Sequence, residues 1–323
     1  MKDSYGRSID YLRISLTDKC NLRCGYCMPE NGINELPHDE ILTSREIVRI
    51  ASIMHDMGVM KVRLTGGEPL VRRGVAGFVR ELSEIPKLEI AMTTNGMRLG
   101  EFVAELKEAG LSSVNISLDT LNEDTFKRLT GADGLKSVLK GIDSAVEAGL
   151  RVKLNCVPIE GINDDEITAL TGYAKEIGVP IRFIELMPIG CGIRYKGIPT
   201  DKLIARLKET YGEAKPSESK VRTESGPAVY YGFKGYRGRI GFISPMTHSF
   251  CDSCNRARLT AEGFLKLCLY HPYGLDLKTP LRSGVTDEEL GRLIAEAIGN
   301  KPKAHSFGLT DMGDSRKMVQ IGG

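Results

Sequence analysis

The sequence predicts an α/β chain: a partial (β/α)6 TIM-like barrel followed by a smaller C-terminal region. Three observations carry this reading. Short β-rich runs alternate with helical patterns up to about Thr200, which implies parallel strands joined by right-handed crossovers. Several of those runs have one apolar and one polar face, whereas strands sealed inside a doubly wound sheet read apolar on both. After Thr200 the pattern changes to a capped helix, a Gly/Ser/charge-rich stretch and short strands.

Tyr11–Leu16 reads as the first strand. Thr43-Ser44-Arg45-Glu46 has the form of a capping box, and Ile47, Ile50, Ala51, Met54 and Met57 follow at helical spacing until Gly58. Lys61–Thr65, Glu89–Thr93, Ser113–Ser117, Arg151–Val157 and Ile181–Leu186 supply five more strands. Helical stretches over Val75–Ser83, Glu101–Ala109, Leu135–Ala148 and Asp165–Ile177 lie between them, with glycine stops at Gly110, Gly149 and Gly178. Period-two alternation sets Leu12, Ile14, Val62 and Leu64 on one face and Arg13, Arg63, Lys153 and Asn155 on the other. A polar inner face fits strands that line a solvated cavity, whose chemistry in a β/α barrel sits at the C-terminal strand ends. Beyond Thr200–Tyr211, strands are expected near Ala228–Phe233 and Arg239–Ile243, a hairpin turning at Ala261-Glu262-Gly263, and a last amphipathic helix over Thr286–Ile298. The division is placed between residues 1–212 and residues 213–323.

Composition excludes several classes. The apolar fraction of 41 % suits a globular core, and a net charge of +2 gives no bulk field for nucleic acid or an anionic membrane. No run approaches a membrane span, and the first residues lack a secretory apolar segment. Eight cysteines, six of them in two groups, read as metal ligands in a reducing cytoplasm rather than as disulfides.

Cys20, Cys24 and Cys27 form a CxxxCxxC run directly after the first strand. Four cysteines normally close an iron–sulfur cluster, so three on a 4Fe–4S cube leave one iron open, and open positions are where metal sites do chemistry. A zinc knuckle would need a fourth ligand nearby, and the next candidate is His38. Cys251, Cys254 and Cys268 make a second set of three. His248 and His271 lie close enough in sequence to complete a zinc site there; a second open cluster would accept a substrate ligand instead. Arg256 and Arg258 share one strand face and suit phosphate binding, although a solvated face is the more usual account of such a pair. Cys156 falls on the apolar parity of its strand and reads as a core thiol; Cys191, between glycines after Pro188, reads as exposed or half-exposed. His38, His55 and His305 show no ligand-like spacing. The terminal Gly322-Gly323 would fray by default.

CxxxCxxC after the first strand of a partial barrel, with Tyr26 just before the third cysteine, resembles the radical S-adenosylmethionine (SAM) superfamily. The resemblance implies that SAM chelates the open iron and is cleaved to a 5′-deoxyadenosyl radical. It assigns Gly66-Gly67-Glu68-Pro69 to the methionine amino group of SAM, through Gly67, and places Ser117 and Met187 around the adenosyl group. From Tyr11-Leu12-Arg13-Ile14-Ser15 to the last residue the chain resembles the GTP 3′,8-cyclase family of molybdenum cofactor biosynthesis. The two cysteine sets, the run Ser249–Arg258 and the terminal Met318-Val319-Gln320-Ile321-Gly322-Gly323 carry that resemblance most specifically.

The family implies two 4Fe–4S clusters, with the second holding the purine and the C-terminal region serving as its binding region. It implies GTP contacts at Arg13, Arg63, Thr93, Lys153, Arg256 and Arg258, and a tail, Gly322 and Gly323, that reaches the active site and takes part in catalysis with Arg13, Arg256 and Arg258. The implied reaction takes hydrogen from ribose C3′, joins C3′ to C8 of guanine and yields 3′,8-cyclo-7,8-dihydro-GTP. The implied partners are a low-potential electron donor and the cyclic pyranopterin monophosphate synthase, in the cytoplasm, with room for a homodimer. Two other readings stand beside it: a radical SAM peptide-modifying enzyme with an auxiliary cluster, and a non-enzymatic zinc module.

Overall fold

The computed structural model describes residues 1–217, 226–307 and 314–322. Twelve strands follow one another: β1 (Tyr11–Ser15), β2 (Lys61–Thr65), β3 (Glu89–Thr94), β4 (Ser113–Ser117), β5 (Arg151–Cys156), β6 (Ile181–Ile184), β7 (Ala214–Pro216), β8 (Val229–Phe233), β9 (Tyr236–Ile243), β10 (Arg256–Leu259), β11 (Phe264–Lys266) and β12 (Gly274–Asp276). The helices are α1 (Ser44–Asp56), α2 (Val75–Ser83), α3 (Leu99–Glu108), α4 (Glu123–Thr130), α5 (Leu135–Glu147), α6 (Ile167–Glu176), α7 (Thr200–Tyr211), α8 (Lys278–Arg282), α9 (Asp287–Gly299) and α10 (Met318–Ile321).

Local chemistry explains several boundaries. The Thr43 hydroxyl accepts from the Glu46 N–H while the Glu46 carboxylate accepts from the Thr43 N–H, which starts α1. Asn122 caps α4 through the Thr125 N–H, and Gly131 ends it in the left-handed region at φ +70°. The helix α4 was absent from the sequence expectations.

The strands form one sheet in the order β12-β11-β10-β1-β2-β3-β4-β5-β6-β9-β8-β7. β1 to β6 are parallel neighbours, as the alternation predicts. The C-terminal strands extend this sheet at both edges: β10 lies parallel to β1, and β9 lies parallel to β6. Antiparallel hairpins then finish each edge, β10 with β11 and β9 with β8. The C-terminal strands therefore lengthen the barrel wall at both of its edges.

The apolar parity residues Leu12, Ile14, Val62, Leu64, Val114, Ile116 and Leu154 are fully buried under the helical layer. Burying each such side chain contributes about 1.5–3 kcal/mol, so this face fixes which parity points inward to the cavity. Among the described residues no helix is long and apolar enough to cross a membrane.

Candidate active site

The opposite parity faces a cavity of about 390 Å³. Cys20, Cys24 and Cys27 line it, and so do Cys251, Cys254 and Cys268. All six thiols are free. The first set follows β1 at its C-terminal end; the second comes from the approach to β10 and the segment after β11. Because β10 pairs with β1, the two sets, more than two hundred residues apart in sequence, share one void.

Between them, register builds a row of cations. Arg258 on β10 lies opposite Arg13 on β1, and Arg13 lies opposite Arg63 on β2. Neighbouring strands stand about 4.8 Å apart, and like charges directly opposite destabilise a sheet. Burial pulls the Arg258 guanidinium well below its usual range, with Arg13 and Arg256 adding to the shift. Arg13 is lowered to about 10, by burial first, with Arg63 and Arg256 adding to it. Oxygen acceptors share the load: Arg63 Nε donates to Tyr11 Oη at 2.5 Å and its Nη1 to the Met92 carbonyl at 2.7 Å. Burial raises the Tyr11 phenol, yet Arg63, Arg13 and Lys61 prevail and bring it to about 7. Lys153 and Thr93 also line the wall, and the buried Thr93 Oγ1 finds no hydrogen-bond partner. The Lys153 ammonium lies 5.7 Å from the Tyr230 ring centre.

The two thiol sets differ electrostatically. Burial pushes Cys20 up to about 11 and Cys27 up to about 12, and it also raises Cys24 well above the usual thiol range. Tyr26 is tied there by its hydroxyl, which donates to Asp119 at 2.6 Å. In the second set burial also opposes ionisation, but hydrogen bonds from His305 and Ser249 lower Cys251 to about 7. Arg256 and Lys301 likewise lower Cys254.

Residues remote in sequence brace this second set. Lys301 Nζ donates to the carbonyls of Arg256 and Leu267, tying together the segments that carry Cys254 and Cys268. The buried Arg7 donates to the Cys251 carbonyl at 2.8 Å and to Lys303 and Pro302 at 2.7 Å each, with Asp3 holding its Nε. Sequence reasoning missed Arg7, Lys301 and His305. Lys61, Asn115 and Arg182 on the same wall were also unassigned, although their strand parity marks them.

His248 points instead to Asp201 at 3.2 Å, and His271 to the Ala304 carbonyl at 2.9 Å. Neither lines the cavity; His305, set aside on spacing, does. Cys191 is buried at 4 % exposure, against the expectation of an exposed thiol. Its turn folds under the chain end, with the Cβ position of Gly190 only 3.2 Å from Lys317 Cα.

Gly67 lines the cavity for a further reason. A Cβ there would meet the Lys19 carbonyl oxygen at 2.2 Å and the Asp18 oxygen at 2.7 Å, so the turn must be glycine to pack on the cysteine loop. Ser117 and Met187 also line the cavity. Gly322 is held rather than frayed: Arg258 Nη1 donates to its carbonyl at 2.8 Å. It sits at φ +80°, and a Cβ would lie 2.7 Å from Thr65 Oγ1 and 3.1 Å from Ser15 Cβ. Gly323 lies outside the described residues.

These donors suit iron–sulfur ligation. The sulfurs are soft and free, and they receive hydrogen bonds of the kind that tune clusters. Leu22 N lies 3.4 Å from Cys20 Sγ, Asn95 Nδ2 3.9 Å from the same sulfur, and Arg256 Nη2 3.9 Å from Cys254 Sγ. Among the described residues no three His, Cys, Asp or Glu side chains converge on a single metal ion.

Parallel strands with a three-cysteine loop at the C-terminal end of the first define the radical SAM class of enzyme, and the Radical SAM superfamily profile matches residues 14–174. A second profile, Molybdenum Cofactor Synthesis C, matches residues 179–307. The chain is 47 % identical to the GTP 3′,8-cyclase of Clostridium perfringens over all of both chains. It is 46 % identical to that of Peptoclostridium acidaminophilum over 99 % of this chain and 98 % of the relative. The chain belongs to the GTP 3′,8-cyclase family.

Among solved structures, Streptococcus suis SuiB bound to S-adenosylmethionine aligns with a TM-score of 0.64 at 16 % identity, over 91 % of this chain and 68 % of that one. SuiB bound to its precursor peptide aligns at 0.61, and the chain spans 60 % of its length. At that identity the likeness is one of fold.

Proposed function

We propose that this chain is a radical SAM GTP 3′,8-cyclase, converting GTP to 3′,8-cyclo-7,8-dihydro-GTP in the first step of molybdenum cofactor biosynthesis. One observation carries the reading: two open sets of three thiols line a single cavity, with the Arg258–Arg13–Arg63 row on the wall between them. A like-charged buried row calls for a polyanion, and a nucleoside triphosphate supplies one.

In this reading Cys20, Cys24 and Cys27 hold one 4Fe–4S cluster and Cys251, Cys254 and Cys268 a second. When bound, the first cluster and SAM supply the one-electron chemistry that opens the ribose C3′–H bond. The protein's own part is placement. Gly67, Tyr26, Ser117 and Met187 surround the SAM position. Arg13, Arg63, Thr93, Lys153, Arg256 and Arg258 fix the triphosphate and turn C3′ toward SAM, an orientation effect that lowers the barrier by prepaid entropy. Cys251, Cys254 and Cys268 would hold the second cluster with one coordination position left for the purine, and Gly322, whose carbonyl Arg258 holds, would bring the tail to the chamber. In this reading residues 1–212 are the radical SAM partial barrel and residues 213–323 the C-terminal region with the second cluster and the Gly-Gly tail. An external low-potential electron donor, a cytoplasmic setting and transfer of product to the cyclic pyranopterin monophosphate synthase complete the reading.

Anaerobic protein reconstituted with iron and sulfide, given GTP, SAM and dithionite, should form 5′-deoxyadenosine and 3′,8-cyclo-7,8-dihydro-GTP in equal amounts. SAM cleavage that leaves GTP untouched would reject the substrate.

A further inference from the structure

The C-terminal tail is gripped at two points by one cross-strand pair. Lys266 on β11 lies directly opposite Arg258 on β10. Arg258 holds the Gly322 carbonyl at 2.8 Å. Lys266, with a side chain at 0 % exposure, donates to the Asp314 carboxylate, itself 4 % exposed. It also donates to the His271 carbonyl at 2.7 Å.

The residues near Asp314 lock onto the same hairpin. The Asp314 N–H donates to the Tyr270 carbonyl at 2.9 Å, and Asp314 Oδ1 accepts from the Arg316 N–H at 2.9 Å. Arg316 lies 4.5 Å over the Phe264 ring and 3.4 Å from Glu262. The chain then turns into α10, where Lys317 N donates to Gln320 Oε1 at 2.9 Å and Val319 and Ile321 are buried.

We propose that the buried Lys266–Asp314 ion pair is the latch that sets the register of the C-terminal tail, so that Gly322 reaches Arg258 only when the hairpin leading to Cys268 is in place. Without Asp314 the buried Lys266 ammonium would keep the His271 carbonyl but no counter-charge, which favours the seat in which Asp314 pairs with it. With Asp314 seated on Lys266, Gly322 lies on Arg258, the next cation across the ladder. The role of the tail in turnover rests on the proposed function; the latch itself does not.

Limited trypsin digestion followed by intact-mass measurement tests it on the full chain, with no SAM or GTP added. Cleavage after Arg316 or Lys317 reports a free tail, and the exposed Lys303 serves as an internal control. The wild type should resist cleavage at both tail sites. The double variant Lys266→Met/Asp314→Leu replaces both charges with apolar groups, which keeps the fold while removing the latch. It should be cut about tenfold faster or more at the tail, with Lys303 cleavage and the melting temperature unchanged, since cleavage follows the open population. Asp314→Asn should behave the same way if it folds. Wild-type protection in the folded double variant would overturn the latch. A wild type that shows the protection but does not consume GTP would reject the cyclase reading and leave the latch standing.

Discussion

Replacing Arg258 by Met tests the cation row where the structure separates the effect on binding from the effect on stability. The guanidinium donates to the Gly322 carbonyl and stands opposite Arg13 on one side and Lys266 on the other. Methionine keeps most of the stem volume and removes the charge. Losing a charge-assisted bond to the triphosphate costs about 1.5–3 kcal/mol, which is about a 10- to 150-fold rise in the GTP dissociation constant. The fold loses the Gly322 bond but also sheds two like-charge neighbours and a costly buried guanidinium. These terms oppose one another, so the melting temperature should stay within about 4 °C of wild type. Calorimetric titration with GTP and a thermal melt of the substrate-free protein read the two quantities separately. Unchanged GTP affinity would refute the reasoning, as would a large fall in stability, because either result would make Arg258 a structural residue only.

Cys24→Ala should abolish 5′-deoxyadenosine formation, and any retained SAM cleavage would remove the first thiol set from the chemistry. Cys268→Ala should spare that cleavage while iron content falls by about half on a two-cluster chain, which iron and sulfide analysis checks. Gly322→Ala forces a Cβ against Thr65 and Ser15 at a left-handed φ; turnover should drop sharply with the global fold intact, and full activity would return the tail to a passive role. Tyr11 supplies the pH test. Its phenol is lowered to about 7, so the phenolate fraction grows as pH rises through 7 and repels an incoming phosphate. GTP affinity of the wild type relative to Tyr11→Phe should therefore fall above pH 7, by at most about tenfold per unit for one proton. A ratio that stays flat from pH 6 to 8 would rule this out.

Much of the inner barrel was legible because its signals are local. Period-two alternation and glycine stops fixed β1 to β6 within a residue or two at either end, and the same alternation put Arg13, Arg63 and Lys153 on the cavity side. What could not be read was pairing. Nothing near Arg256 announces that it will lie beside Tyr11, yet that contact joins the two thiol sets. His305 illustrates the limit most clearly: no ligand spacing marks it, and its partner Cys251 lies in a distant loop. Arg7 is similar, since its carbonyl partners come from the far end of the chain. Cys191 failed for the converse reason. Flanking glycines suggest an exposed turn, but the tail near Lys317 covers it, and that cover is a long-range contact.

The cation row also explains why the local and global signals disagree at this one face. At the starts of β2, β3 and β5 charges find an opposite partner: Lys61 reaches Glu89 at 3.0 Å, and Arg151 reaches the same carboxylate at 2.8 Å. Along Lys266–Arg258–Arg13–Arg63–Ala91 the row itself holds no carboxylate. The chain supplies Asp314 to Lys266, a backbone carbonyl to Arg258, and the Tyr11 hydroxyl with the Met92 carbonyl to Arg63. A sequence selected for stability alone would relieve that repulsion with apolar residues. Its presence, on a wall shared by two open thiol sets, is the local violation of folding rules expected where a site is built for an anion.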